Sequence, residues 1–235
     1  METYKSLYII GSSHISKQSI NEIKKAFEEI APDIVAVELD NNRIHALFAK
    51  KQGKPSIYDI KRVGLKGFIF ALIGSWASKK LGKIVGVSPG DEMKTAITMA
   101  KEKNLKVALI DQDIEITLKR FSKSLSWKER WNFVADIFNA VVLRKKEPLL
   151  NFDLSKVPDN KLIEMMISKL KQRYPNIYKV LIEERNYFMA RKLKNLLSNY
   201  PDKKILAVMG AGHVTEILKI LKENEGVTYS FSVSQ

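Results

Sequence analysis

The chain has 235 residues, 45% of them hydrophobic and 28% charged, which is the composition of a globular protein large enough for a core of its own. It has no cysteine, so a disulfide framework, a zinc site built from thiolates and a cysteine nucleophile are excluded. Its net charge of +14 attracts nucleic acid, anionic lipid or acidic ligands. The lysines are scattered and no basic arm alternates with aromatic residues, so a nucleic-acid partner is not expected.

The first part of the chain predicts a βαβ unit. The short apolar run 6–10 is typical of a buried parallel strand, and apolar residues at steps of three and four over 20–30 predict an amphipathic helix. A second strand is predicted over 34–39, joined to the first by a right-handed crossover. Glu38 lies at the end of this strand, and a helical pattern continues over 42–50.

The segment 57–81 has an apolar-rich helical pattern. Its longest apolar stretch, 63–77, is shorter than the roughly 20 residues of a membrane span. We expect a buried or partly buried helix here, although the stretch is apolar enough to contact a membrane or a partner. The first residues do not have the basic and apolar regions of a signal peptide. The sequence thus predicts a cytoplasmic or peripherally membrane-associated protein, with no signal peptide and no transmembrane span in this chain.

Strand signals are absent from a long middle segment of the chain. A helix from Asp91 and a strand over 107–110 precede this segment, and the strand–helix alternation returns at Ile205. An edge strand is predicted over 227–233. The helical patterns of the middle segment run over 114–122, 126–146, 159–172 and 175–199.

Together these elements predict an α/β fold with a largely parallel central sheet flanked by helices. The α/β core domain is expected to comprise residues 1–114 and 200–235. An all-helical insertion over 115–199 would then separate the third and fourth main strands.

Two segments share the order of a strand, a Gly-x-x-His sequence and a helix. They are Gly11 to His14, and Gly210 to His213 with Gly212 inside it. We expect the glycine to allow a sharp turn and the histidine to lie just above the carboxyl end of its strand. Open α/β folds bind their ligands at that edge of the sheet. Glu38 follows a strand of the same predicted sheet, so this glutamate and the two histidines should converge.

His14, His213 and Glu38 form a suitable ligand set for a divalent metal such as zinc, manganese or cobalt, with positions left open for water. A metal-bound water can lose a proton near neutral pH and then act as a hydrolytic nucleophile. Alternatively, Glu38 is the general base and the histidines polarise the substrate. Taken singly, each of these residues also has an ordinary structural explanation, as a capping or surface group.

The helix after Pro175 carries a second set of candidates. A step of about 100° per residue places Glu184 inside an apolar stripe, and a buried carboxylate needs a partner. Glu184 therefore either forms a structural pair with an arginine or points into a polar pocket. Arg185 could orient a carboxylate or oxyanion of the substrate, and Asn186 could serve either purpose.

Asp111 and Asp113 follow the strand over 107–110. Helix capping is the simplest explanation for both carboxylates, with Asp111 as a further candidate for the wall of the pocket. The chain has no P-loop, no Gly-x-Gly-x-x-Gly after a strand, no His-Glu-x-x-His and no Gly-x-Ser-x-Gly. These absences argue against nucleotide-binding, zincin and serine-hydrolase classes.

Segments along almost the whole chain resemble the TraB family, also called TraB/PrgY, which is related to the GumN and TIKI proteins. The matching segments, in chain order, are 11–16 (Gly-Ser-Ser-His-Ile-Ser), 37–40 (Val-Glu-Leu-Asp) with Arg43, 89–93 (Pro-Gly-Asp-Glu-Met), 109–114 (Leu-Ile-Asp-Gln-Asp-Ile) with Arg120, 184–186 (Glu-Arg-Asn), and 208–214 (Val-Met-Gly-Ala-Gly-His-Val). Gln112 stands where an arginine of the family would be expected.

The resemblance implies an α/β fold in which the two Gly-x-x-His loops and a glutamate share one pocket. TIKI members are similar to metal-dependent peptidases, and the pheromone-shutdown members reduce the activity of secreted signalling peptides. Longer members carry a hydrophobic C-terminal membrane region. The resemblance implies His14 and His213 as metal ligands, Glu38 as a ligand or base, and Arg185 as a substrate-binding or structural group. The candidate site as a whole comprises metal ligands (His14, Glu38, His213), catalytic groups (Glu38, Glu184, Arg185) and substrate-binding groups (Arg43, Asn186, Asp111).

Two functions are therefore predicted from the sequence. The first is a metal-dependent, peptidase-like hydrolase that acts on a peptide or protein substrate. The alternative is a non-catalytic, membrane-associated regulator of the pheromone-shutdown type, which binds or sequesters a peptide. The second function would use the same pocket, the apolar stretch 63–77 and the positive surface, which could contact an anionic membrane. A homo-oligomer such as a dimer is compatible with both.

Overall fold

A computed structural model of the chain describes residues 1–12, 17–49, 61–64, 68, 72, 90–142 and 160–223. In these ranges the chain has the α/β fold expected from the sequence, with helices on both faces of a mostly parallel sheet. The strands are β1 (Glu2–Tyr4), β2 (Leu7–Ser12), β3 (Ile34–Val37), β4 (Lys106–Leu109) and β5 (Ile205–Gly210). The strand predicted over 227–233 lies outside the described residues.

The helices follow the predicted segments closely. They are α1 (Lys17–Ile30), α2 (Asn41–Phe48), α3 (Asp91–Glu102), α4 (Ile114–Ser124), α5 (Trp127–Val142), α6 (Asn160–Arg173), α7 (Pro175–Tyr178), α8 (Glu184–Asn199) and α9 (Ala211–Glu223). A π-helical turn over Lys179–Glu183 joins α7 to α8. No helix in the described ranges is long and apolar enough to cross a membrane, and most of the stretch 63–77 lies outside those ranges.

Strand β5 occupies the centre of the sheet, whose order is β1-β2-β5-β3-β4. It pairs in parallel with β2 on one side and with β3 on the other, while β1 is an antiparallel edge strand that the sequence did not reveal. The register places Ser12 opposite Gly210 and Val37 opposite Val208. The carboxyl ends of the first, second and fourth predicted strands therefore lie side by side, as expected for a ligand site at this edge.

Alternating apolar residues along the strands bury both faces of the sheet. On one face the strands pack with α8 and α9, and fully buried residues such as Met189, Leu193 and Ile217 share this cluster with Ile205. On the other face they pack with α1 and α3. A fully buried large apolar side chain contributes about 1.5–3 kcal/mol to stability. Helix α8 thus belongs to the sheet's core, and the division into a core domain and an insertion at 115–199 stays a prediction.

Side-chain caps fix the helices that surround the site. Asp40 caps α2 by accepting the backbone N–H of Arg43 at 2.9 Å, and it also accepts the N–H of Ile114 at the start of α4. Asp113 caps α4 by accepting the N–H of Glu115 at 2.7 Å, which confirms the capping explanation for that residue. These caps hold α2 and α4 beside the carboxyl ends of β3 and β4.

Candidate functional site

Glu38 lies immediately after β3 and is almost fully buried. Its own N–H donates to the carbonyl oxygen of Val208, so the residue lies beside the end of β5. The carboxylate Oε2 then accepts the backbone N–H of Gly210 at 2.5 Å. The parallel register of β3 and β5 is therefore what brings this carboxylate to the Gly-x-x-His segment of β5.

His213 lies in the first turn of α9 and is buried. Its Nε2 is 3.4 Å from Oε1 of Glu38, which brings together two of the three residues predicted to form the site. Its Nδ1 is 2.5 Å from the amide oxygen Oδ1 of Asn186 in α8. Because an amide oxygen can only accept, Nδ1 carries a proton in this arrangement, and Nε2 is the ring nitrogen that faces Glu38.

Arg185 connects helix α8 to the sheet edge. Its Nη2 contacts Oε1 of Glu38 and also donates to Oδ2 of Asp111 at 2.6 Å, while its Nε donates to Oδ1 of Asp111 at 3.0 Å. Its Nη1 donates to the carbonyl oxygen of Leu181. The guanidinium is thus committed to two carboxylates and a carbonyl, as expected for a group that positions Glu38.

Asp111 is held between two arginines, because Arg43 also contacts its Oδ2. Its side chain is fully buried, and burial by itself would raise the pKa of Asp111. The hydrogen bonds and charge of Arg185, together with the charge of Arg43, outweigh burial and leave the pKa of Asp111 below its ordinary value. Asp111 therefore stays ionised in the network and does not cap a helix.

Arg43 completes the network by donating from Nε to Oδ2 of Asp40 at 2.7 Å. Burial opposes its charge, but Asp111 outweighs burial and the pKa of Arg43 is raised. In the connected set, three carboxylates (Glu38, Asp111, Asp40) meet two guanidinium groups (Arg43, Arg185). Each guanidinium contacts two of these carboxylates, and Asp111 is the carboxylate that both share.

Glu184 does not join this cluster. It forms two hydrogen bonds of 2.6 and 2.7 Å with Arg120 of α4, so it belongs to a structural arginine pair, one of the two outcomes considered from the sequence. The prediction that Glu184 lies inside an apolar stripe is wrong, because the π turn adds one residue to a turn of the helix and rotates the following residues around its axis. The buried positions of α8 accordingly include Asn186 and Met189, and Glu184 is only part-buried.

The glycines of the Gly-x-x-His segments do not make the sharp turns that were expected. Gly11 and Gly210 lie inside β2 and β5, and neither has a positive φ. A Cβ on Gly11 would lie 3.0 Å from Cα of Ala211, so glycine is required there for the close approach of β2 to α9. A Cβ on Gly212 would lie 3.6 Å from Ile167, which is an ordinary contact.

The expected metal site can be tested only in part, because His14 lies outside the described residues. Within the described ranges, no three histidine, aspartate or glutamate side chains form a group that could hold a metal ion. Of the two remaining predicted ligands, His213 has its Nδ1 held by the amide oxygen of Asn186, an outer contact of the kind that orients metal-binding imidazoles. The metal site itself stays a prediction.

A cavity of about 470 Å³ is lined mainly by residues of α8 and α9, and neither Glu38 nor His213 lines it. Its lining includes Gln112 and Glu184, the sequence neighbours of Asp111 and Arg185, together with Tyr187, Phe188 and Arg191.

Sequence reasoning missed three contributions to the site and its surroundings: the pairing of Arg120 with Glu184, the N–H of Gly210 and the role of the π turn. Only Arg120 had a signal, since it lies in a segment that resembles the TraB family.

Comparison with known proteins identifies the family of the chain. The model of the TraB/PrgY/gumN family matches residues 2–229. An uncharacterized protein of Methanocaldococcus jannaschii is 38% identical over 223 residues, which are 93% of this chain and 54% of that protein. TraB domain-containing proteins of Mus musculus and Homo sapiens are each 24% identical over 91% of this chain and 62% of their own length. This chain thus spans little more than half of the relatives' length.

The family match covers the strands, the helices, the buried residues Glu38, Asp111, Asn186 and His213 and the part-buried Arg185 in one continuous range. The chain is therefore a member of the TraB/PrgY/gumN family.

Proposed function

We propose that this chain is a metal-dependent hydrolase that acts on peptides, with Glu38 and His213 at its centre. The observation that carries the proposal is the 3.4 Å approach of Nε2 of His213 to Oε1 of Glu38. Both groups are buried at the carboxyl edge of a parallel sheet, where α/β enzymes place their reacting groups. Buried ionisable groups in such a setting are candidates for catalysis.

The metal would be held by Nε2 of His213 and by Glu38, with His14 as the third predicted ligand. A bound divalent metal would supply a water of lowered pKa and would polarise the scissile carbonyl. The amide oxygen of Asn186 fixes the imidazole so that Nε2 is directed to the site.

Glu38 would accept the proton that is released when water attacks. Its Oε1 faces Nε2 of His213, and its Oε2 is fixed by the N–H of Gly210. Arg185 keeps the carboxylate in place, and it is a positioning residue because its donors are directed to Glu38, Asp111 and a backbone carbonyl. Arg43 acts one step further away, through Asp111.

The cavity lined by α8 and α9 supports a peptide as substrate. Its volume of about 470 Å³ is in the range of ligand-binding pockets, and its lining combines the aromatic rings of Tyr187 and Phe188 with the cation of Arg191. Such a lining suits a peptide segment that has an apolar or aromatic side chain beside an acidic group. Arg43, Asn186 and Asp111 are engaged with other protein groups, so they would contribute to binding by shaping the site.

The experiment is metal analysis of protein purified without chelator, followed by removal and return of zinc, manganese or cobalt. The native chain should bind about one metal per site and cleave members of a mixed peptide library, and both properties should be lost in His213→Ala and Glu38→Gln. His45→Ala is the matched control, because His45 is an exposed histidine of α2. A native protein that neither contains nor rebinds metal would refute the proposal.

One observation favours the alternative, a non-catalytic peptide-binding regulator. Both oxygens of Glu38 already accept hydrogen bonds, and Arg185 joins it to a second buried carboxylate, as in a network that only holds helix α8 to the sheet. This alternative predicts saturable peptide binding with no cleavage products, unchanged by chelation. Glu38→Gln would then affect the melting temperature and not a turnover rate.

A further inference from the structure

Helix α5 is fixed to the protein by its first turn. Glu129 is 1% exposed, and its carboxylate accepts the N–H and hydroxyl of Ser126, which caps the helix in return. The same carboxylate accepts the N–H and the side-chain amide of Asn176 at 2.7 and 2.9 Å. The side of α5 that carries Glu129 therefore faces the start of α7, and its direction is well defined.

Two tryptophans lie on the opposite side of this turn. Trp127 is 73% exposed and Trp131 is 70% exposed, the two highest values among the large hydrophobic side chains of the described ranges. With about 100° per residue, the two side chains lie about 40° apart and each lies about 160° from Glu129. The tryptophans thus form one surface, one helical turn in length, that faces away from the protein.

Cations lie on both sides of this surface. On the helical wheel Lys128 follows Trp131 by about 60°, and Arg130 precedes Trp127 by about 60°, with its guanidinium 4.5 Å from the Trp127 ring centroid. The two acidic residues of α5 are engaged: Glu129 is buried against Asn176, and Asp136 pairs with Arg173. The exposed rings are therefore bordered by positive charge.

We propose that the surface formed by Trp127, Lys128, Arg130 and Trp131 docks the protein on an anionic lipid membrane. Tryptophan rings prefer the region between headgroups and acyl chains, and flanking cations meet lipid phosphates and carboxylates. The net charge of +14 provides the long-range attraction that such a contact needs. No basic segment of the sequence alternates with aromatic residues as in single-strand nucleic-acid binders, which favours a membrane as the occupant.

This contact is a property of α5 and does not depend on hydrolysis at Glu38. The contact would orient the chain relative to the membrane, because Glu129 fixes α5 to α7. Helix α7 is joined to α8 by the π-helical turn. The docking surface and the buried site lie on different elements, so they can be altered separately.

The test is sedimentation of the whole chain with vesicles of phosphatidylcholine alone and of phosphatidylcholine with about one third phosphatidylserine. The native chain should bind the anionic vesicles, and the variant Trp127→Ser/Trp131→Ser should bind at least about tenfold more weakly with an unchanged far-ultraviolet circular dichroism spectrum and melting temperature. Tyr187→Ser, which removes a 60% exposed aromatic ring from α8, is the control and should bind like the native chain.

Charge is tested with Lys128→Glu, which should weaken binding to anionic vesicles, and with added salt, which should do the same. The proposal is overturned if the native chain ignores anionic vesicles, or if the double tryptophan variant binds them as well as the native chain does. It is also overturned if the tryptophans prove to be needed for binding a single-stranded oligonucleotide and not for binding vesicles.

Discussion

Asn186 places its side-chain oxygen 2.5 Å from Nδ1 of His213, and this single contact determines which nitrogen of the ring faces Glu38. Asn186 is fully buried in α8, while His213 starts α9. The orientation of the imidazole is therefore a property of the packing between two helices.

The first prediction concerns this contact. In Asn186→Leu the Nδ1–H of His213 loses its acceptor, which should destabilise the fold by about 1–3 kcal/mol and allow the ring to populate its other tautomer. Nitrogen-15 chemical shifts of the ring measure the tautomer, and urea unfolding measures the stability. Asn186→Asp keeps an acceptor and should preserve the native tautomer. A Leu variant with the native tautomer and stability would mean that another group orients His213.

The second prediction compares two arginines that both bind carboxylates. Arg185→Met leaves Glu38 and Asp111 buried without their shared guanidinium, and should cost about 3–5 kcal/mol of stability. Arg120→Met removes an arginine that is 55% exposed, and should cost at most about 1 kcal/mol. Urea unfolding near neutral pH measures both changes. Equal losses would show that the buried network does not stabilise the fold more than the surface pair.

The third prediction follows from the buried cap of α5. Burial alone would raise the pKa of Glu129, but hydrogen bonds from Asn176 and Ser126 outweigh burial and lower it below the ordinary 4.5. A lowered pKa contributes stability above the unfolded-state value, and that contribution is lost as the pH falls through the folded-state value. Glu129→Gln should therefore destabilise the protein by about 1–3 kcal/mol near pH 7.

This loss should shrink at acidic pH, as the native carboxylate becomes protonated. Melting temperatures of the native chain and the variant, measured from pH 7 down to about pH 3, test the convergence. Glu28→Gln is the control, because Glu28 is exposed on α1 and its replacement should leave the curve close to that of the native chain. A gap between Glu129→Gln and the native chain that stays constant with pH would contradict the assigned role of the carboxylate.

The fourth prediction separates two glycines of the paired segments. Gly11→Ala would place a Cβ 3.0 Å from the backbone of Ala211, so β2 or α9 must move, at a cost of about 1–3 kcal/mol. Gly212→Ala meets only an ordinary contact in the first turn of α9, and should be neutral or slightly stabilising. Thermal unfolding of the two single variants measures the difference. The reverse order of stabilities would show that Gly11 is not needed for packing.

Much of the fold could be predicted from the sequence, because apolar periodicity is a local signal. The runs that became β2, β3, β4 and β5 are continuous and apolar, and the helices between them have clear three- and four-residue spacing. The antiparallel strand β1 was missed because its three residues alternate too briefly to give a pattern. The helix after Pro175 was predicted correctly, but the phase of its buried face was lost at the π turn.

The candidate site was predictable to the extent that parallel strands share an edge. Glu38 and His213 were expected to meet, and they do, at 3.4 Å. Arg185 and Asn186 were recognised as candidates, but their partners were not, because the contacts join α8 to the ends of β3 and α9 across more than twenty residues of chain. The roles of these residues in catalysis or substrate binding, and the position of His14 beside them, stay predictions.

The amino-acid sequence by itself determined the order of the strands and helices. It also determined which strands are followed by acidic or histidine side chains, because both properties depend on neighbouring residues along the chain. Only the tertiary structure decided that β5 lies between β2 and β3, that glycine at position 11 serves close packing, and that one guanidinium joins Glu38 to Asp111. The physical reason is that a buried charge takes the partner that packing places beside it, and packing depends on the whole chain.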